Sequence, residues 1–350
     1  MMTVKRITIA LVVVLLGVNL AVAARIYSAA TENTAKDDPY AQFKLAAQVM
    51  ELIRANHVDG DKTTYQKLTY DALKGMMSSL DPHSQFMEPA VYEDMQSETE
   101  GKFGGLGIVI SMSKEGYITV VAPMEDTPGA KAGLLPGDRI IKIDGRSTEK
   151  MPLQEAVKQL RGEPGTKVTI TVFRPKAKDP GDRIKDHTIE RAEIKVDSVK
   201  DVKIIQDSIG YIRITQFNAP TADEFRKALD KLEKEGMDAL IIDLRNNPGG
   251  LLDSAIKVSS EFLPRGELVV STEGRDPKQD HKYYAVGSKR RPAYPIAIVV
   301  NGGSASASEI VSGALQDMKR AVLVGETTFG KGSVQSILKL PDGSALRLTT

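Results

Sequence analysis

The sequence contains no cysteine, no tryptophan and only four histidines among its 350 residues. Without cysteine the chain has no thiol nucleophile, no cysteine-ligated zinc and no disulfide, and it suits a reducing or an oxidising compartment equally well. Its 47 basic and 46 acidic residues leave a net charge of +1. Because that balance supplies no strong electrostatic field, we expect no nucleic acid partner.

The histidines and glycines exclude two further kinds of site. None of His57, His83, His187 and His281 lies in a Ser-His-Asp context, and there is no H-E-x-x-H zinc motif. The glycines of "FGGLGIVI" do not form a dinucleotide fingerprint, because a strand-like run follows where a helix should begin. We therefore predict neither a metal nor a cofactor. His83 stands in the turn-rich "SLDPHSQFMEP", where a structural role is favoured over a catalytic one.

The N-terminus has the pattern of an export signal. The basic "MMTVKR" precedes an uncharged run from Ile7 to Ala24, in which Ala21 and Ala23 form an A-x-A cleavage pattern. This pattern predicts that residues 1–24 are a signal peptide that is removed. A retained membrane anchor is the alternative, since the 18 residues of the run are near the lower limit for spanning a bilayer.

Three sections follow a polar linker at residues 25–38. In residues 39–100, apolar residues recur at helical spacing, which predicts a helical N-terminal region. Residues 101–180 contain glycines, short strands and a helix in the size range of a compact domain. Residues 181–350 alternate strands and helices, which predicts an α/β core in a multidomain α/β (α+β) protein. With 41% hydrophobic residues, the chain can bury such cores without metals or disulfides.

The last section contains two units in which a buried strand leads through a glycine turn into a helix. "ALIIDL" is followed by "RNNPGG" and a helix from Leu251, and "IAIVV" is followed by "NGG" and a helix-like run. Such turns display backbone N–H groups at helix N-termini. "VQSILKL", "PDGS" and "ALRLTT" then predict a hairpin. Because the chain stops inside that last strand, we expect a C-terminal part of the core to be missing.

The glycines of "FGGLGIVI" allow two interpretations. They open the backbone beside an edge strand, so the amides of Leu106, Gly107 and Ile108 could hold the C-terminal carboxylate of a peptide that adds as a strand. A tight turn that enters a hairpin explains the same eight residues equally well.

Three alternate serines, Ser304, Ser306 and Ser308, begin the run "NGGSASASEIVSGALQD". Ser306 and Glu309 fit a capping box, and local sequence alone favours that structural role for Ser306. A serine at a helix N-terminus after a glycine turn is also well placed as a nucleophile, because nearby amides can stabilise an oxyanion. Such a nucleophile still needs a base.

Lys331, in "TTFGKGSVQ", is the candidate base. A lysine can accept the proton only if burial keeps it neutral at ordinary pH. The flanking glycines let the backbone come close, and Phe329 is expected to help exclude water. Taken by itself, any one lysine is more often a solvated surface residue.

Together these segments resemble the carboxy-terminal processing proteases, also called tail-specific proteases. The resemblance covers nearly the whole chain and rests on the export signal, a PDZ-like section from about Gly101 to Pro175, "LDPHSQFM", "DLRNNPGGLLDSA", "GGSASASEIVSGALQD" and "GETTFGKGSVQ". The last three motifs, in this order and spacing, carry most of its specificity. It implies a serine peptidase with a PDZ domain and a core of the crotonase/ClpP-like type.

The resemblance also implies roles for single residues. Ser306 is the nucleophile, Lys331 the general base, and Gln335 the residue that orients the lysine. The backbone amides of Gly250 and Ala307 form the oxyanion hole. Ser304 and Ser308 keep structural roles in the turn and in the first helical turn.

For partners, the resemblance implies protein or peptide substrates with apolar C-terminal tails, bound at Leu106 to Ile108. Arg161 is our candidate for coupling the PDZ domain to the catalytic residues, although a charge at a helix C-terminus explains it equally well. The resemblance is also compatible with an adaptor protein, a membrane anchor and a homo-oligomer. It implies a location in the bacterial periplasm or on the extracytoplasmic face of the inner membrane. A non-catalytic PDZ scaffold and an acyl-thioester enzyme are the competing interpretations.

Overall fold

The computed structural model describes residues 38–113, 115–177, 179, 181, 183–287 and 291–350. The predicted export segment at 1–24, and the predicted linker up to residue 37, lie outside the described residues. Among those described, no helix is both long and apolar enough to cross a bilayer. Chain contacts separate two units, Met1–Pro82 and His83–Thr350.

The described part of the first unit is helical, as its periodicity predicts. It contains α1 (Pro39–Asn56), a 3-10 turn (Gly60–Lys62) and α2 (Tyr65–Ser78). Asp38 caps α1 by accepting the Tyr40 N–H at 3.1 Å, and Thr64 caps α2. Most apolar residues of α1 are exposed, and the helix has no buried residue.

The second unit begins with a strand and a helix that the sequence groups with the N-terminal helices. These are β1 (Gln85–Met87) and α3 (Pro89–Glu100). Gly101 ends α3 in the left-handed region at φ 68°, a conformation that glycine adopts without strain. The predicted helical region 39–100 therefore crosses the boundary between the two units.

The next section forms a sheet whose strand order is β3-β4-β5-β7-β8, with β6 on β5 and a separate β2–β9 pair. Its elements are β2 (Lys102–Gly105), β3 (Ile108–Met112), β4 (Ile118–Pro123), α4 (Pro128–Lys131), β5 (Arg139–Ile143), β6 (Arg146–Ser147), α5 (Leu153–Leu160), β7 (Lys167–Phe173), β8 (Ile184–Glu190) and β9 (Ala192–Lys195). Strand β3 lies at one edge of the sheet. Strand β8 pairs with the full length of β7 and so belongs to this sheet. The sheet therefore extends beyond residue 180, the predicted end of this domain.

The last section is the predicted α/β core, around a sheet ordered β10-β11-β12-β15-β16. Its elements are β10 (Val199–Ile205), β11 (Ile209–Ile214), α6 (Thr221–Lys234), β12 (Ala239–Asp243), α7 (Leu252–Ser260), β13 (Leu268–Thr272), a 3-10 turn (Pro277–Gln279), β14 (His281–Tyr284), β15 (Ile296–Val300), α8 (Ala307–Asp317), β16 (Val322–Gly325), β17 (Gln335–Lys339) and β18 (Ala345–Thr349). The assignment of this core to the crotonase/ClpP-like type stays a prediction.

Two features of the core position the site. Strands β12 and β15 are parallel neighbours, so their carboxyl ends, and the glycine turns that follow, lie at the same edge of the sheet. Strands β17 and β18 form the predicted hairpin, and β1 adds to β18 to complete a three-stranded antiparallel sheet.

Candidate active site

The turn at Ser306 has an unusual backbone. Ser306 adopts φ 55° and ψ −112° between β15 and α8. A non-glycine residue in such a region costs about 1–3 kcal/mol and persists only where its surroundings impose it. Gly249 approaches so closely that a Cβ there would stand 2.6 Å from the Ala305 carbonyl oxygen and 2.8 Å from Ser306 Cβ. The two glycine turns therefore pack directly on each other.

Asn247 holds these two turns together and is fully buried. Its carbonyl oxygen accepts the Ala305 N–H at 3.0 Å and the Ser308 hydroxyl at 3.0 Å. Its side chain accepts the Gly249 N–H and donates to the Ile214 carbonyl, both at 2.9 Å. The only signal for this residue in the sequence is an asparagine in a turn motif, which does not predict its role.

The structure separates the three serines. Ser304 and Ser308 are fully buried, and their hydroxyls donate to the carbonyl oxygens of Leu244 (2.8 Å) and Asn247 (3.0 Å). These bonds match the structural roles expected for them. Ser306, in contrast, lines a cavity.

Two backbone N–H groups beside Ser306 have no acceptor among the residues that the structure describes. Phe217 bonds to the residues on either side of Gly250, at 2.8 Å to the Gly249 carbonyl and 2.6 Å to the Leu251 N–H. The Gly250 N–H therefore points away from Phe217. Ala307 is the first residue of α8, where an N–H has no intrahelical partner. Within the described part of the chain, neither N–H donates a hydrogen bond.

Lys331 is half-buried, and its ammonium donates to Gln335 Oε1 at 2.6 Å. Burial lowers its pKa, and the positive charge of Arg347 lowers the pKa further, while the carboxylate of Glu309 acts in the opposite direction. Both shifts towards the neutral amine suit a base. No hydrogen bond joins Lys331 Nζ to Ser306 Oγ among the described residues. Phe329 is 64% exposed, and the expectation that it helps to exclude water from Lys331 stays a prediction.

The Glu309 carboxylate connects the serine turn to the lysine loop. One oxygen accepts the N–H groups of Ser306 (2.7 Å) and Lys331 (3.0 Å). The other accepts the Thr328 hydroxyl (2.8 Å) and the Gly330 N–H (2.7 Å). Burial raises the pKa of Glu309, but these four donors outweigh it and hold the pKa below its ordinary value. The capping motif identified only the bond to Ser306.

Ser306, Lys331, Gln335 and Gly250 all line one cavity of about 620 Å³. Its walls are mostly apolar, with two further charged side chains, Glu98 and Arg347. The apolar lining residues are Met95, Phe217, Pro248, Leu251, Leu252, Ile310, Val334 and Ile337. This arrangement can hold an extended peptide beside a hydroxyl, a half-buried amine and two available amides.

A second cavity of about 200 Å³ lies beside the edge strand β3. Leu106, Gly107 and Ile108 line it together with aliphatic side chains of α5. The Leu106 and Gly107 carbonyls accept N–H groups of Gly129 (2.7 Å) and Met124 (2.8 Å), so they bond towards the body of the domain.

Arg161 lines this second cavity and not the first. It pairs with Asp94 on α3 at 3.2 Å, and its guanidinium carbon lies 4.6 Å from the centre of the Phe103 ring.

Comparisons with known proteins decide the family. The profile of peptidase family S41 matches residues 208–350, and a PDZ profile matches residues 119–174. A carboxy-terminal-processing protease of Bartonella bacilliformis is 43% identical over 90% of this chain and 71% of its own length. This chain belongs to the carboxy-terminal processing proteases of family S41. It is thus a serine-type peptidase with a PDZ domain.

Three further proteins are similar to this S41 peptidase. A carboxy-terminal processing protease of Bacillus subtilis is 35% identical over 95% of this chain and 68% of its own length. Among solved structures, a Bacteroides fragilis protein assigned to the S41 proteases shares the fold, with 16% identity, a TM-score of 0.50 and coverage of 87% and 84% of the two chains. A photosystem II D1 C-terminal processing protease is 29% identical, with a TM-score of 0.46 and coverage of 87% and 86%.

Proposed function

We propose that this S41 peptidase hydrolyses peptide bonds with Ser306 as nucleophile and Lys331 as general base. The observation that carries the proposal is that Ser306, Lys331, Gln335 and Gly250 line one cavity. Ser304 and Ser308 are each bonded to a carbonyl oxygen and buried, which leaves Ser306 as the one of these three serines that can reach a substrate.

In the first step Ser306 Oγ attacks the scissile carbonyl carbon, and neutral Lys331 Nζ takes the hydroxyl proton. Collapse of the tetrahedral intermediate breaks the C–N bond, and Lys331 returns the proton to the leaving amine. Water then attacks the acyl ester on Ser306, again giving a proton to Lys331, which passes it back to the serine. The hydrogen bond between a catalytic hydroxyl and its base is often long in a free enzyme and tightens when substrate binds.

The Gly250 and Ala307 amides are the proposed oxyanion donors. Both lack an acceptor in the described part of the chain, and a Cβ built on the neighbouring Gly249 would lie 2.8 Å from the Ala307 nitrogen. Donors already fixed by the backbone need no reorganisation during reaction, which is why they stabilise a developing charge well.

We propose that the PDZ domain binds apolar C-terminal tails of protein substrates. The tail adds to the open edge of β3, its carboxylate meets the Leu106 to Ile108 turn, and its last side chain enters the aliphatic cavity. Arg161, which lines that cavity and pairs with Asp94, is proposed to couple tail binding to the rest of the unit.

Residues 1–24 support a proposed location outside the cytoplasm, in the periplasm or on the outer face of the inner membrane. We propose in addition that the protein works with an adaptor protein, that it is held by a membrane anchor and that it forms a homo-oligomer.

A peptide with an apolar C-terminus and an internal fluorophore–quencher pair tests the catalytic assignment. We expect Ser306→Ala and Lys331→Ala to lower kcat by about 10⁴-fold or more while the peptide still binds. Ser304→Ala is the matched control and retains turnover wherever the variant folds. Cleavage that persists in Ser306→Ala would falsify the assignment, and binding without cleavage by the unaltered protein would identify a PDZ scaffold instead.

A further inference from the structure

The segment "LDPHSQFM" has no role in the proposed catalytic step, yet its strand β1 is separated from the strand that carries Gln335 by a single strand, β18. Strand β1 within this segment pairs with β18, and β18 pairs with β17, which begins at Gln335. Ser84, directly before β1, is buried.

A line of hydrogen bonds follows these strands. The Thr349 N–H donates to Ser84 Oγ at 3.1 Å, and Gln335 Nε2 donates to Thr349 Oγ1 at 3.3 Å. Gln335 Oε1 in turn accepts from Lys331 Nζ at 2.6 Å. Ser84 and Lys331, which are far apart in the sequence, are thus connected through two intermediate residues: Thr349, by its backbone N–H and its hydroxyl, and Gln335, by its side chain.

The strand register explains why Thr349 meets Gln335. The two are direct cross-strand partners, and the flanking Thr350 N–H bonds to the Val334 carbonyl at 3.3 Å. Gln335 and Thr349 therefore form a non-hydrogen-bonded pair, the kind in which side chains of antiparallel strands lie closest together.

The amide of Gln335 has an acceptor on each side of its nitrogen. Nε2 donates to Ser333 Oγ at 3.0 Å and to Thr349 Oγ1 at 3.3 Å. With both N–H groups engaged, the carbonyl oxygen is turned to Lys331. A glutamine without these acceptors could rotate about its terminal torsion and present its NH₂ group to the amine.

We propose that Thr349 and Ser333 are positioning residues that fix the amide of Gln335, and that Ser84 anchors Thr349 for this task. The proposal rests on the proposed role of Lys331 as base. Through Gln335, the two hydroxyls direct the lone pair of neutral Lys331 towards Ser306.

Kinetics of Thr349→Val and Thr349→Ser in the full chain test this proposal, with the internally quenched peptide as probe. Valine keeps the shape and removes the hydroxyl, so we expect kcat to fall about tenfold with KM unchanged. Serine keeps the hydroxyl and should restore kcat to within about twofold. Ser333→Ala should lower kcat in the same way and serves if Thr349→Val does not fold.

A double-mutant cycle separates positioning from a structural effect. If Thr349 acts through Gln335, adding Thr349→Val to Gln335→Ala should cause no further loss of kcat. Ser336→Ala is the control, because its hydroxyl pairs across the same two strands with Thr350 at 2.8 Å but belongs to no catalytic contact. Equal impairment of Thr349→Ser and Thr349→Val, additive losses in the cycle, or an unchanged kcat in Thr349→Val would each overturn the proposal.

A failure of the positioning proposal can be distinguished from a failure of the proposed catalytic function. Ser306→Ala is measured in parallel, and its activity reports on the catalytic serine whatever the Thr349 variants do. If Ser306→Ala is inactive and the cycle is additive, the positioning role alone is wrong.

Discussion

The cavity at Ser306 and the cavity beside β3 both lie next to glycine-rich turns, but they differ in what surrounds the turn. At Gly249 and Ser306 two turns pack on each other and are tied by Asn247 and Glu309, Ser306 has a strained backbone, and the cavity contains a hydroxyl, an amine and charged side chains. At Leu106 to Ile108 the turn lies at a sheet edge next to an aliphatic cavity. Backbone amides at a glycine-rich turn therefore suit catalysis at one cavity and peptide recognition at the other, and the neighbouring side chains decide which.

The largest effect that sharpens this contrast is expected for Glu309→Gln. An amide of the same shape would present its NH₂ group to donors that now share the two oxygens, including the N–H groups of Ser306 and Lys331. We expect kcat to fall about 10–100-fold, while the affinity of the PDZ domain for a tail peptide stays the same. Steady-state kinetics and a peptide-binding isotherm measure the two quantities.

A matched control is Glu326→Gln, since Glu326 is an exposed carboxylate in the loop that contains Lys331. Equal losses in both variants, or weaker tail binding in Glu309→Gln, would contradict the separation of the two cavities.

A smaller effect, confined to the recognition cavity, is expected for Val157→Asp. Val157 lines the cavity beside β3, and a carboxylate there disfavours an apolar side chain and repels the tail carboxylate. We expect tail affinity to weaken about tenfold while kcat on a short peptide without a tail is unchanged. Val157→Ile is the control, and a loss of kcat on the short peptide would show that the two cavities are not independent.

The smallest effect concerns the pH dependence of catalysis and uses Arg347→Gln. Arg347 lowers the pKa of Lys331, and the base must be neutral, so activity rises as pH passes upward through that pKa. Loss of the Arg347 charge raises the pKa and should move the acidic limb of the kcat/KM profile to higher pH. Arg347→Lys should leave the limb in place.

Glu309→Gln should shift the pKa of Lys331 in the opposite direction, because the Glu309 carboxylate raises that pKa. Its acidic limb should therefore move to lower pH. If the limb moves in the same direction in both variants, or in neither, Lys331 is not the group that the profile reports.

Local patterns in the sequence were sufficient for much of the secondary structure. Apolar periodicity predicted α1 and α2, and turn residues predicted the hairpin of β17 and β18. Strand β8 was missed because its sequence is charged and follows a loop rich in Pro and Gly, whereas its pairing with β7 decides its conformation. Strand propensity depends on such partners more than helix propensity does.

The sequence by itself, with its family resemblance, determined which residues could carry the chemistry, including Ser306, Lys331 and Gln335. Only the tertiary structure decided that Ser304 and Ser308 are buried against carbonyl groups, that Glu309 bonds to both the serine turn and the lysine loop, and that Phe329 stays exposed. The reason is that capping and periodicity act between near neighbours, whereas strand order brings together groups as distant in the chain as Ser84 and Thr349.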